Sequence, residues 1–177
     1  MISWANVRLL VTDFDGVWTD DAVYVDQHST ESVRCLRADG YGVTRLMAAG
    51  VPVIVLSAEV NPVVAVRCAK LRVDCTQGLD GSVMDKRGCL NIVSSGYAVP
   101  LSEIAYIGND VNDEACLRAV GHPVVVCSAE EELFQRLGIS VYGPEPRGNI
   151  YVTNRSGGYG ALREVCDLIL EARNARP

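Results

Sequence analysis

Four short apolar runs recur along the chain: VRLLVT from Val7, VPVIVL from Val51, IAYIG from Ile104 and PVVVC from Pro123. Each is followed by a segment with helix punctuation. Runs of this length that are apolar throughout, rather than alternating, predict strands buried on both faces, and their alternation with helices predicts a parallel sheet. The expected fold class is therefore α/β, a doubly wound, mostly parallel sheet with helices on both faces. In EVNPVVAVRCAKL, Asn61 is placed to cap a helix and Pro62 suits its first turn. SAEEEL offers Ser128 as a cap with Glu131 three residues on, a capping box, and Gly138 closes that helix. Gly50 and Gly121 read as similar stops. One segment breaks the rhythm: VYVDQHSTESVRCL, Val23 to Leu36, has two β-prone pieces around a polar centre and predicts a hairpin projecting from the sheet. YGPEPRGN, Tyr142 to Asn149, reads as a loop before a last strand, IYVT, and a final helix from about Tyr159. No repeat or Pro/Gly/Ser linker divides the chain.

A chain of 177 residues with 49% apolar content buries a proper core, and one domain over 1–177 is the simplest expectation. The 16 Lys and Arg are outnumbered by 22 Asp and Glu, and a net charge of −6 argues against a nucleic-acid partner, which needs a basic face. No apolar run approaches the roughly 20 residues that span a bilayer, and polar Ser3 and Asn6 stand where a signal peptide would be apolar, so no membrane partner and a cytoplasmic location are expected. Cys35, Cys68, Cys75, Cys89, Cys116, Cys127 and Cys166 form no C-x-x-C pair, which fits free thiols in a reducing compartment. With only His28 and His122 beside them, neither a zinc site nor a Cys–His nucleophile has support.

The chemistry gathers at the ends of the apolar runs. LLVTDFDGVWTD, Leu9 to Asp20, passes from a core strand into three carboxylates, Asp13, Asp15 and Asp20. The second run ends in Ser57, and IAYIG leads into GNDVND, which supplies Asn109, Asp110, Asn112 and Asp113. A helix starting near GSVMDKRG adds Lys86. In an open parallel sheet, ligands sit beyond the carboxyl ends of the strands. Hard oxygen ligands clustered without His or Cys select magnesium, which makes neighbouring carboxylates tolerable and lets an acidic edge accept a phosphate. A carboxylate is also a competent nucleophile toward phosphorus, and Lys86 and Ser57 would meet the charge on the phosphoryl oxygens. Singly, each signal has a plainer reading: a solvated Asp-x-Asp-Gly turn, a Ser57 helix cap, a surface Lys86. Together they come in the order that one mechanism requires.

That order resembles the haloacid dehalogenase (HAD) superfamily, with DFDGVWTD similar to its first motif, VIVLS to its second, Lys86 to its third and IGNDVND to its fourth. The resemblance implies a Rossmann-like fold with Asp13 as nucleophile, Asp15 as general acid and then base, and Ser57 and Lys86 as phosphate ligands. It places magnesium on the Asp13 carboxylate, the Asp15 carbonyl and Asn109, with Asp110 and Asp113 supporting. DGVWTDDAVYV, RADGYG from Arg37 and GGYGALREVCDLIL are similar to a branch without a cap domain. That branch comprises 3-deoxy-octulosonate 8-phosphate phosphatases, nonulosonate 9-phosphate phosphatases and the C-terminal domains of acylneuraminate cytidylyltransferases. The implied partner is a phosphorylated keto-sugar, and the implied assembly a homotetramer whose hairpins contribute to the oligomer. Asn109 stands where the branch usually has Asp, which implies a weaker hold on the metal. SAE replaces the TGR of octulosonate phosphatases, and Glu59 is similar to the nonulosonate group, so the nine-carbon substrate is expected, with Lys70 a further specificity candidate. Arg37 is expected to bind substrate. Arg155, Gly157, Gly158 and Arg163 are expected to help bind or enclose substrate, in this site or a neighbour's; the alternative is that the glycines only form a turn and Arg163 only decorates the last helix. The rival readings are a low-activity assembly or regulatory domain and, less favoured, a phosphoacceptor receiver.

Overall fold

The computed structural model describes residues 3–139 and 149–175. In chain order the elements are β1 (Leu9–Thr12), β2 (Tyr24–Val25), β3 (Glu31–Ser32), α1 (Arg37–Ala48), β4 (Val53–Leu56), α2 (Val63–Leu71) and β5 (Asp74–Thr76). They continue through α3 (Lys86–Gly96), β6 (Ile104–Gly108), α4 (Glu114–Leu117), β7 (His122–Val125), α5 (Glu131–Leu137), β8 (Tyr151–Val152) and α6 (Ala161–Asn174). The main sheet runs β5-β4-β1-β6-β7-β8 with every pairing parallel. The chain first winds outward from β1 through β4 to β5, then crosses back to β6, so the order reverses beside β1.

The apolar runs are explained by two cores. Leu10, Val53, Val55, Ala105 and Ile107 face one core with α1, α2 and α6, while Leu9, Val11, Ile54, Ile104 and Tyr106 face the other with α3, α4 and α5. A strand covered on both faces has no polar side, which is why alternation is absent from its sequence. The hairpin expected over Val23 to Leu36 forms as β2 and β3, antiparallel and separate from the main sheet. At its root Arg34 binds Asp20 Oδ2 (3.0 Å) and the Gly158 carbonyl (3.2 Å), and its guanidinium lies 4.2 Å from the centre of the Tyr159 ring.

Several local expectations are corrected. Ser128 does not cap α5: its Oγ accepts from Gly157 N at 3.1 Å, and the helix begins three residues later behind Glu130, with Glu131 and Glu132 facing the positive end of its dipole. Gly121 is not a helix stop. It precedes β7, and a Cβ there would fall 2.0 Å from the Ser102 carbonyl oxygen, so the requirement is close approach. The short edge strand β5, with Asp74 and Thr76 exposed, carries no apolar run and escaped the pattern. Asn61 does serve α2, its Oδ1 accepting from Val63 N at 3.0 Å, and Gly50 and Gly138 adopt positive φ after α1 and α5. The last helix starts at Ala161, behind Gly160. The loop expected over Tyr142 to Asn149 lies, apart from Asn149, outside the described residues. All seven cysteines are free, and among the described residues no helix is long and apolar enough to cross a membrane.

RADGYG becomes the start of α1 and packs against the start of α6. Gly42 allows this, since a Cβ there would come within 2.7 Å of the Arg163 side chain and 3.3 Å of Cys166 Cβ. Asp39, buried in that first turn, accepts from Arg163 N with Oδ1 (2.8 Å) and so caps α6 from a different helix, because Gly160 has no side chain to do it. Asp39 Oδ2 is buried without a hydrogen-bond partner, and burial lifts the carboxyl to about 6 despite the nearby Arg155, Arg67 and Arg163. The following segment braces the turn after β1: Gly158 N donates to the Val17 carbonyl, and a Cβ on Gly157 would fall 1.7 Å from the Gly16 carbonyl oxygen.

Two outcomes follow. The folded chain holds the Asp39 proton more tightly than the unfolded chain, so this group's contribution to stability is present below about pH 4 and is lost as pH rises to 6. Asp39→Asn, which keeps the oxygen for Arg163 N, is expected to remove roughly 2–3 kcal/mol of that slope when urea unfolding is compared with wild type from pH 4 to 7. Gly157→Ala is expected to lower stability by at least about 2 kcal/mol in the same assay, because its methyl group cannot fit without moving the Gly16 backbone.

Candidate active site

Three adjacent strands, β4, β1 and β6, end side by side, and the residue after each carries a polar side chain: Ser57, Asp13 and Asn109. The reversal of strand order beside β1 opens a crevice at this edge. The cleft there has a volume of about 430 Å³, and its lining includes Asp13, Asp15, Ser57, Glu59, Lys86 and Asp110.

The turn after β1 is held from below. Phe14 and Trp18 stack with ring centres 6.1 Å apart inside the core, and Trp18 Nε1 donates to Thr12 Oγ1 at 2.8 Å. Phe14 N donates to Asp13 Oδ1 (2.7 Å), fixing one carboxylate oxygen, while Oδ2 meets Lys86 Nζ at 2.6 Å. Gly16 takes φ +69° beside Asn109; a Cβ there would fall 2.0 Å from the Asn109 amide. Thr19 Oγ1 bonds Asp15 Oδ1 at 3.3 Å and accepts from Gly16 N at 3.2 Å, closing the turn.

Lys86 is the first residue of α3, behind Asp85, whose Oδ1 caps the helix by accepting from Gly88 N at 2.7 Å. Its ammonium is buried between Asp13 and Asp113 Oδ1 (2.9 Å) and also reaches Asn112 Oδ1 (3.2 Å). Burial would depress it, but the carboxylates of Asp113 and Asp13 reverse that and hold it above the ordinary lysine value. Asp113 lies beneath the cleft, fully buried. It accepts from Tyr106 OH (2.7 Å) and from the backbone N–H of Asn109 (2.9 Å) and Asp110 (3.3 Å), and so shapes the β6 turn. Asp113 therefore braces the site and is no part of its lining. Burial and then the Asp113 charge push Asp13 up from the usual carboxylate range, against the pull of Lys86 and Phe14 N. Asp15 is also raised, by burial first, with the Asp21 and Glu59 charges adding to it against the Thr19 bond.

Among the described residues no three His, Cys, Asp or Glu side chains converge to hold a metal. The atoms that do converge are of mixed kind: the end of the Asn109 amide lies 3.0 Å from the Asp15 carbonyl oxygen and 3.2 Å from Asp13 Oδ2. One carboxylate, one carbonyl and one amide, without sulfur or imidazole, is the donor chemistry of a hard divalent cation.

Ser57 Oγ accepts from Glu59 N (3.1 Å), and Glu59, which lines the cleft, has Oε1 accepting from Val60 N (2.6 Å) and Asn61 N (2.8 Å). Other candidates lie elsewhere. Arg37 and Lys70 are exposed on α1 and α2. Arg155 binds through its backbone N to Glu164 (3.1 Å), Arg163 pairs with Asp167 (2.6 Å), and Gly157 and Gly158 brace the catalytic turn from behind. None of these lines the cleft, so turn formation and helix decoration are what this chain's own fold gives them. Asp20, the third acid of the opening stretch, pairs with Arg34. Sequence reasoning missed Tyr106, Thr19, Asp21 and Asp80. Tyr106 left one signal, a hydroxyl in a wholly apolar strand that needs a buried partner.

No family model matches the chain. It is 32% identical over 169 residues, covering 95% of its length and 81% of the relative's, to the 3-deoxy-D-manno-octulosonate 8-phosphate phosphatase of Salmonella typhi. A solved structure from Legionella pneumophila assigned to HAD superfamily subfamily III A matches with TM-score 0.85 at 31% identity, over 97% of this chain and 86% of that one. The 3-deoxy-D-manno-octulosonate 8-phosphate phosphatase of Moraxella catarrhalis, solved with magnesium, phosphate and KDO, matches with TM-score 0.83 at 28% identity, over 97% and 90% of the two chains. With its strand-end carboxylates, buried lysine and 32% identity over 95% of its length to such an enzyme, the chain belongs to the HAD superfamily, among the phosphomonoesterases of the 3-deoxy-D-manno-octulosonate 8-phosphate phosphatase family.

Proposed function

We propose that the chain is a magnesium-dependent phosphatase that hydrolyses the phosphate ester of an acidic keto-sugar through an aspartyl-phosphate on Asp13. The observation that carries this reading is the 2.6 Å contact between Asp13 and the buried Lys86 ammonium at the cleft floor, with Ser57 and Asp15 on either side. Magnesium, when bound to Asp13, the Asp15 carbonyl and Asn109, neutralises the acidic edge and draws charge from the phosphoryl oxygens. The chain's own groups do the rest. Lys86 and Ser57 orient the phosphoryl group, and an Asp13 carboxylate oxygen attacks phosphorus as the ester P–O bond breaks. Asp15, whose carboxyl is raised by burial, gives its proton to the departing sugar oxygen as general acid. Asp15 then takes a proton from water as that water attacks phosphorus, the acyl-phosphate bond breaks, and inorganic phosphate leaves with Asp13 restored.

For the sugar, a nonulosonate 9-phosphate is favoured over 3-deoxy-octulosonate 8-phosphate. Its support is Glu59, half-buried in the cleft lining with Oε1 held by its own turn, a carboxylate placed where sugar hydroxyls would lie. A homotetramer is the proposed assembly. The hairpin supports it: Val23, Tyr24 and Val25 are 53%, 58% and 64% exposed, an apolar stripe that a lone chain would leave in water. Arg37, Arg155 and Lys70 would meet substrate only in such an assembly.

Phosphate release from a panel of sugar phosphates, with magnesium and with chelator, tests the activity. Magnesium-dependent turnover is expected to be fastest on the nonulosonate ester and to be lost in a folded Asp13→Asn variant. Equal turnover by that variant removes the nucleophile assignment, and a folded wild-type chain silent on every ester favours the assembly-domain reading. Sedimentation should give four times the chain mass, and Val23→Ser with Val25→Ser should shift it toward smaller species; an unshifted mass removes the hairpin from the interface.

A further inference from the structure

Asn109 is packed tightly at the cation site. It is 6% exposed, its backbone N–H is held by Asp113 Oδ2 (2.9 Å) and its carbonyl by Glu130 N (2.9 Å), and its side chain fills the space that a Gly16 Cβ would need. What remains is a half-turn of the amide about its last torsion, which is broad and two-fold for asparagine. The half-turn exchanges nitrogen for oxygen at the point 3.0 Å from the Asp15 carbonyl and 3.2 Å from Asp13 Oδ2. With nitrogen there, both contacts are hydrogen bonds, and the one to Asp13 is strengthened by charge. With oxygen there, three oxygens face one another with no donor from Asn109 between them, an arrangement that a divalent cation among them stabilises.

We propose that Asn109 is a reversible stopper of the cation site: without metal its amide nitrogen bonds Asp13 and Asp15, and metal entry requires the amide to turn and present its oxygen. The inference rests on the reading of this cleft as a divalent-cation site. An aspartate in the same place has no donor to offer and would set oxygen against oxygen whenever the metal is absent. Asparagine therefore keeps the metal-free cleft in its working shape, and two hydrogen bonds must break before the cation can bind.

The test uses the full chain in chelator and in saturating magnesium. The Asn109 side-chain amide resonance, identified by its loss in Asn109→Asp, is expected to exchange slowly with water in chelator, and to shift and exchange faster once magnesium is bound. By calorimetry Asn109→Asp is expected to bind magnesium at least about tenfold more tightly, and to melt below wild type in chelator but not in magnesium. A resonance that exchanges as fast as exposed amides in chelator, or one unchanged by magnesium, overturns the stopper, as does equal magnesium affinity in the two proteins. Failure of both proteins to bind magnesium overturns the cation site and the stopper together. Magnesium binding that behaves as expected in a protein releasing no phosphate leaves the stopper standing and overturns only the phosphatase reading.

Discussion

The ammonium of Lys86 lies 2.6 Å from Asp13 and 2.9 Å from Asp113 with 1% of its side chain exposed, and the active edge is organised around it. Two carboxylates buried this close repel strongly, and removing the cation between them would leave uncompensated charge in the core. The ammonium cannot be supplied from far away. It requires the first residue of α3 to sit at the sheet edge, which in turn requires Asp85 to end the preceding loop and cap the helix there. One ion pair thus fixes where α3 begins, how β1 ends and how the β6 turn folds over Asp113.

The carboxylates at this edge illustrate how environment assigns roles to identical side chains. Asp13 and Asp15 are two residues apart, yet the first is tied to Lys86 and the Phe14 amide while the second has only Thr19 and stays half-buried at the cleft wall. Asp113 has the same chemistry again but accepts from a tyrosine and two backbone amides, and so it is structural. Tyr106, driven well above its ordinary value by burial and by Asp113, stays a donor throughout.

The strands and the strand-end residues were legible because their physics is local in sequence: a fully buried strand is apolar throughout, and the residue after it faces the crevice. Asp13, Ser57 and Asn109 were found this way, and Lys86 from the start of the helix that follows GSVMD. What failed was what depends on partners far along the chain. Ser128 looked like a cap because its neighbours fit the motif, but Gly157 N, 29 residues on, claims its hydroxyl. Arg37 and Lys70 lie exposed on α1 and α2, away from the cleft of their own chain. Asp39 and Gly42 were noticed only as part of a likeness, since their purpose is to receive α6 more than 120 residues later. β5 was invisible because an edge strand does not need an apolar run.

The root of the hairpin joins parts of the molecule that the sheet keeps apart. Arg34 touches Asp20, at the end of the catalytic turn, and through Gly158 and Tyr159 it touches the segment that leads into α6. Gly157 and Gly158 in turn press on the backbone from Gly16 to Asp20. One guanidinium at the hairpin root therefore ties together both sides of the loop that carries Asp13 and Asp15. The hairpin is thus anchored at Arg34 to the same stretch of backbone that positions the nucleophile.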